Sequence, residues 1–130
     1  MMEFAARAAR FFPKAEIIEL HHDKKLDSPS GTALLTAKKM VESKGCALQG
    51  DAIGAGESPR GQLFGGKVCL HSVRLPGLVA HQEVLFGGLG QTLTIRHDSL
   101  NRESFMPGVV LAVRKVLGLK GLTVGLENLM

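Results

Sequence analysis

Glu19-Leu20-His21-His22-Asp23-Lys24-Lys25-Leu26-Asp27-Ser28-Pro29-Ser30-Gly31-Thr32-Ala33 is the stretch to which the rest of this chain must conform. Immediately before it, Glu16-Ile17-Ile18-Glu19-Leu20 has the near-alternation of a short strand. Immediately after it, Ala33 to Glu42 has helical spacing: Leu34, Ala37 and Val41 share one face, and Lys38 and Lys39 point away from it. A polar loop running from a strand end to a helix start is where α/β architectures tend to bind ligands.

The residues of that loop suit anion recognition and proton transfer. Pro29 fixes its own φ, and Gly31 permits close approach of a ligand to the backbone. Ser30 or Thr32 supplies an N-cap, and a helix N-terminus with free N–H groups attracts a carboxylate or phosphate. Lys25 adds a full positive charge, and the imidazoles of His21 and His22 carry protons near neutral pH. A capped helix preceded by solvated basic residues would account for Ser30 and Thr32. It does not account for His-His and Lys-Lys lying beside them.

The stretch His21 to Ala33 resembles the signature of the dihydrodipicolinate reductases: His-His, two residues, Lys, one residue, Asp, a small residue, then Pro-Ser-Gly-Thr-Ala. A second region agrees in order and spacing, through His81-Gln82-Glu83-Val84-Leu85-Phe86, Leu93-Thr94-Ile95-Arg96-His97 and Arg102 to Phe105. The resemblance implies an enzyme of lysine (diaminopimelate) biosynthesis that converts 4-hydroxy-tetrahydrodipicolinate to tetrahydrodipicolinate with NADPH or NADH. It implies that His21 is the proton donor/acceptor and Lys25 a proton donor. His22, Lys25, Ser30, Gly31 and Thr32 would then hold the small cyclic dicarboxylate. Positioned acids typically contribute ~10²–10⁴-fold to such a proton transfer. The same resemblance implies a homotetramer built through the sheet.

Those reductases also have a nucleotide-binding domain that opens on a glycine-rich turn. Here Gly54-Ala55-Gly56 runs into Glu57-Ser58-Pro59, which stops a helix and makes a poor phosphate loop. The chain opens on Met1-Met2-Glu3-Phe4, as though already inside the helix that leads into the substrate domain. Residues 1–130 are therefore expected to be one substrate-binding and oligomerisation domain set apart from its cofactor domain and inactive alone. The tail 122–130 is expected to belong with that other domain. The competing expectation is a non-catalytic oligomeric module whose loop merely holds anions.

At 130 residues, 45% of them hydrophobic, the chain can bury a core of its own, and with six Phe and no Trp or Tyr that core is mainly aliphatic. The net charge of +4 raises nucleic acid as a partner. The basic residues are dispersed and no aromatic ladder offers bases a stacking surface, so no nucleic-acid binding is expected. No segment has the length of a membrane span and no signal peptide is recognisable, so no membrane association and a cytoplasmic location are expected. Cys46 and Cys69 are too few for a zinc ribbon and read as ordinary thiols. His71, His81 and His97 lack ligand spacing, so no metal is expected.

The remaining elements follow in order. Residues 1–12 read as a helix with Phe4, Ala8, Phe11 and Phe12 on one face, ended by Pro13. Residues 46–66 are glycine-rich and read as one long loop whose strongest anion-binding candidate is Arg60. Strands are expected at 67–75, 79–86 and 91–97, forming an antiparallel meander to which the strand at 16–20 is added. A long helix at about 103–118 would bury Phe105, Val109, Ala112, Val113 and Val116. The expected fold is thus α+β, with a mixed, largely antiparallel four-stranded sheet and helices packed on one face.

Overall fold

Helix α1 (Met2–Ala8) leads into strand β1 (Lys14–His21), and the polar loop then delivers the chain to helix α2 (Gly31–Val41). Strands β2 (Gln62–Phe64), β3 (Val68–Arg74), β4 (Ala80–Gly88) and β5 (Gln91–Ser99) follow, and helix α3 (Met106–Lys115) lies near the C-terminus. The computed structural model describes residues 1–50 and 59–130. It divides into two units, Met1–Asp98 and Ser99–Met130. Gly54-Ala55-Gly56 lies outside the described residues.

The sheet is mixed, as expected, but has five strands in the order β2-β3-β1-β4-β5, not four. The added strand is β2, three residues inside the stretch read as loop, paired antiparallel to β3 with Leu63 opposite Cys69. The meander is also corrected. β1 lies between β3 and β4, parallel to the first and antiparallel to the second. A parallel β1–β3 pair requires a crossover, and α2 supplies it. The short β3–β4 connection was the misleading signal. Two strands flanking a third are only about 10 Å apart, which five extended residues span with room to spare. β4 and β5 are joined through Leu89-Gly90, with Gly90 at φ +69°, a tight connection that forces them antiparallel.

The core of the first unit lies between this sheet and helices α1 and α2. Along β1 the helix-facing row is Ala15, Ile17, Glu19 and His21, because strand side chains alternate. Ala15 sits between Val68 and Phe86, and Ile17 between Leu70 and Val84. All of these side chains are buried against Ala5, Ala9, Ala33, Ala37 and Met40. Burying an Ile, Val or Phe side chain stabilises by roughly 1.5–3 kcal/mol, and the helix alanines let backbones approach closely enough to exclude voids. In α1 this overturns the expected face: Ala5, Ala8 and Ala9 point inward, while Phe4 and Phe11 are 70% and 72% exposed. Of the three phenylalanines expected there, Phe12 alone packs inward, with its ring 5.6 Å from that of Phe86.

In the second unit, the expected long helix is a 3₁₀ turn over Arg102–Phe105, α3, and a further turn over Val116–Gly118. Its expected buried side is not buried: Phe105, Val109, Val113 and Val116 are 44–66% exposed. An apolar hollow of about 530 Å³ in this unit is lined by Ala112, Val113, Val116, Leu119, Leu122 and Leu129, among others, with no ionisable side chain. Among the described residues no helix is long and apolar enough to cross a membrane.

Candidate active site

The helix-facing row of β1 changes from apolar to polar as it nears the strand's C-terminal end. Beyond the Ile17 layer, Glu19 lies between Ser72 and Gln82, and His21 lies between Arg74 and Ala80. The same end of the sheet receives the head of α2, where Ser30 is the N-cap and its side chain accepts the Ala33 N–H at 3.2 Å. Of the two hydroxyls offered by the sequence, Ser30 therefore caps the helix, and it is buried.

Glu19 is fully buried and gathers four partners from three elements. Arg74 grips both of its oxygens, at 2.8 and 2.9 Å. The backbone N–H of Ser30 donates to Oε1 at 3.2 Å, and Nδ1 of His21 lies 2.5 Å from Oε2. Burial raises the pKa of Glu19, but hydrogen bonds from Arg74, Ser72 and His21, together with the charge of Arg74, outweigh it and hold the group below its ordinary value. Arg74 also donates to the backbone carbonyls of Lys25, at 3.3 Å, and Asp27, at 2.7 Å, and so pins the loop to the sheet.

A second carboxylate gathers the remaining donors. Asp27 accepts from the Lys25 ammonium at 2.7 Å, and the Gly31 backbone amide adds a smaller lowering of its pKa. The hydrogen bond from Lys25 is the main cause of its lowered pKa. Asp27 is 58% exposed at its side chain and Lys25 23%. The Lys25 ammonium thus already meets a carboxylate at a position open to solvent. A Cβ added at Gly31 would meet no atom within 4 Å. Thr32 is exposed at the helix head, and its carbonyl accepts from Thr36 at 2.8 Å. The half-buried side chain of His22 makes no hydrogen bond among the described residues, while its carbonyl closes the turn to the Lys25 N–H at 3.2 Å.

The structure therefore joins His21 to the head of α2 through Glu19, and pairs Lys25 with Asp27. Two members of this arrangement, Glu19 and Arg74, were not among the expected site residues. A signal for Glu19 was present, since it stands two residues before His21 and must share its strand face. Arg74 carried no local signal, because only strand register brings it beside His21. Arg60, the anion candidate of the glycine-rich stretch, is instead ion-paired with Glu16, which also meets His71 at 2.7 Å.

Comparison with known proteins covers the whole chain. The family described as "Dihydrodipicolinate reductase, C-terminus" matches residues 1–130. The 4-hydroxy-tetrahydrodipicolinate reductase of Halalkalibacterium halodurans is 59% identical over 99% of this chain and 49% of its own length. That of Moorella thermoacetica is 56% identical over 100% of this chain and 49% of its own. A solved structure described as dipicolinate-bound dihydrodipicolinate reductase from Paenisporosarcina sp. TG-14 superposes with a TM-score of 0.80 at 51% identity, covering 99% of this chain and 49% of that one. The chain spans about half the length of the curated relatives it matches. It belongs to the dihydrodipicolinate reductase family, and the part of the family to which it corresponds is the C-terminal one.

Proposed function

We propose that this chain binds the substrate and supplies the acid in a 4-hydroxy-tetrahydrodipicolinate reductase, an NADPH- or NADH-dependent enzyme of lysine (diaminopimelate) biosynthesis. The observation that carries the proposal is the 2.7 Å ion pair of the Lys25 ammonium with Asp27, a cation already holding a carboxylate in the loop that leads to the head of α2. A substrate carboxylate entering there takes the Lys25 ammonium and the Gly31 amide, with Ser30 and Thr32 completing the helix head and His22 flanking it. Charge-assisted bonds of this kind are the strong ones, and the α2 N-terminus adds favourable potential. Dipicolinate in a solved relative supports the choice of a cyclic dicarboxylate as ligand.

Within such a complex the chain's own residues hold the dianion and move one proton. His21, with one ring nitrogen committed to Glu19, presents the other to the bound ring. Lys25 holds a carboxylate and stands as the alternative acid. The described residues do not fit a dinucleotide. β1 enters α2 through Ser28-Pro29-Ser30-Gly31, which holds one glycine, and the Ser30 N–H at the helix head is already taken by Glu19. The nicotinamide, source of the hydride, is assigned to the half of the relatives' length that the match does not span, so this chain alone does not turn over. A cytoplasmic homotetramer formed through the sheet belongs to the same proposal.

Isothermal titration with pyridine-2,6-dicarboxylate tests it. Wild type binds, and Lys25→Ala binds at least about tenfold more weakly, as loss of a hydrogen bond to a charged group implies. Equal affinities, or no binding by wild type, overturn the assignment. Combining the chain with the nucleotide-binding half of a relative should give substrate-dependent oxidation of NADPH or NADH. Dicarboxylate binding without that oxidation would favour a non-catalytic anion-binding module.

A further inference from the structure

We infer that Glu19 is a positioning residue that fixes neutral His21 as its Nδ1–H tautomer and leaves Nε2 as the nitrogen that exchanges a proton with the ligand. The inference rests on the proposal that His21 is the acid of this site. Three observations carry it. Nδ1 lies 2.5 Å from Glu19 Oε2, well within hydrogen-bond distance. Glu19 is an ionised carboxylate held by Arg74, and a carboxylate has no proton to give, so the proton between them sits on Nδ1. Nε2 has no hydrogen-bond partner among the described residues, and the His21 side chain keeps 15% of its surface exposed. The proton held on one ring nitrogen thus decides which nitrogen is left for chemistry.

Glu19 is well placed to hold that choice, because its other contacts leave it no freedom. Oε1 accepts from Arg74 and from the Ser30 N–H, so the carboxylate cannot rotate without losing both bonds. Arg74 in turn holds the carbonyls of Lys25 and Asp27. One buried ion pair thereby sets both the imidazole's orientation and the loop that carries the ammonium.

The substitution Glu19→Gln separates this role from a merely structural one. Each oxygen of Glu19 faces one Arg74 nitrogen and one other group, the Ser30 N–H at Oε1 and His21 at Oε2. Of those two only the imidazole can become an acceptor, so the amide oxygen takes the Oε1 position and the NH₂ faces His21. A donor there turns Nδ1 into an acceptor and inverts the tautomer to Nε2–H. The measurement is ¹⁵N NMR of the full chain labelled at histidine. Spectra are taken in alkaline solution, and His21 is identified among the five histidines by its loss in His21→Gln. Wild type should show the protonated-type shift on Nδ1, and Glu19→Gln should show it on Nε2. Wild-type His21 as Nε2–H overturns the inference without any variant, and a folded Glu19→Gln that retains Nδ1–H overturns it as well. Titration with dipicolinate keeps the two proposals apart. Absence of binding with the Nδ1–H form present upholds the role of Glu19 and rejects the dicarboxylate site. Binding by a chain whose His21 is Nε2–H does the reverse.

Discussion

Glu19 occupies an expensive position, since a carboxylate without solvent contact is tolerated only when paired and hydrogen-bonded. Its pKa is depressed in the folded chain, as are those of Glu16, Asp27 and Asp98. The unfolded chain therefore binds more protons than the folded one in the acid range. Stability from these groups is complete above their ordinary values of 3.8–4.5 and is lost as pH falls through the lower folded values. A urea midpoint followed by circular dichroism should hold steady from pH 7 to 5 and drop below about 4.5. In Arg74→Met the main hydrogen-bond donor to Glu19 is gone while burial remains, so its pKa rises and the acid loss begins at higher pH. A variant whose midpoint tracks wild type across the whole range would show that the pair contributes nothing through charge.

The β2–β3 ribbon shows how far an element depends on a single backbone position. Gly61 stands just before β2 at φ +81°, where an L side chain is strained, and a Cβ there would overlap the carbonyl oxygen of Leu70. Gly61→Ala is expected to cost on the order of 3 kcal/mol, combining backbone strain with a collision that only strand separation relieves. Gly31→Ala is the control, because it has clear space and an ordinary φ. Urea unfolding of both variants gives the comparison, and equal midpoints would exclude the collision. Among the elements, β1, α2, β3, β4 and β5 were legible from alternation, helical spacing and turn residues. β2 was not, since three residues between glycines carry too little pattern. Nor was the buried face of α1: period alone favoured the large phenylalanines, but the sheet below it admits alanines.

The chain as a whole carries a net charge of +4, and it is proposed to bind a small dianion. Its field should draw that ligand in, and salt should weaken the attraction as the Debye length falls from about 30 Å at 0.01 M to about 3 Å at 1 M. Dipicolinate affinity is expected to fall several-fold between 0.02 and 0.5 M sodium chloride, by titration calorimetry. Affinity unchanged across that range would mean that contacts, not charge, hold the ligand.

The sequence by itself determined the strand–loop–helix junction and the types of group it carries, because a motif of contiguous residues specifies its own local geometry and its own chemistry. His21, Lys25, Ser30 and Gly31 were all readable on that basis. What only the tertiary structure decided is how those groups are held. Arg74 reaches Glu19 from 55 residues away, and it does so because β1 inserts between β3 and β4. Strand order is a competition among long-range pairings, settled by which arrangement buries Ile17, Leu70 and Val84 in one layer under the helices. Local spacing carries no record of that outcome.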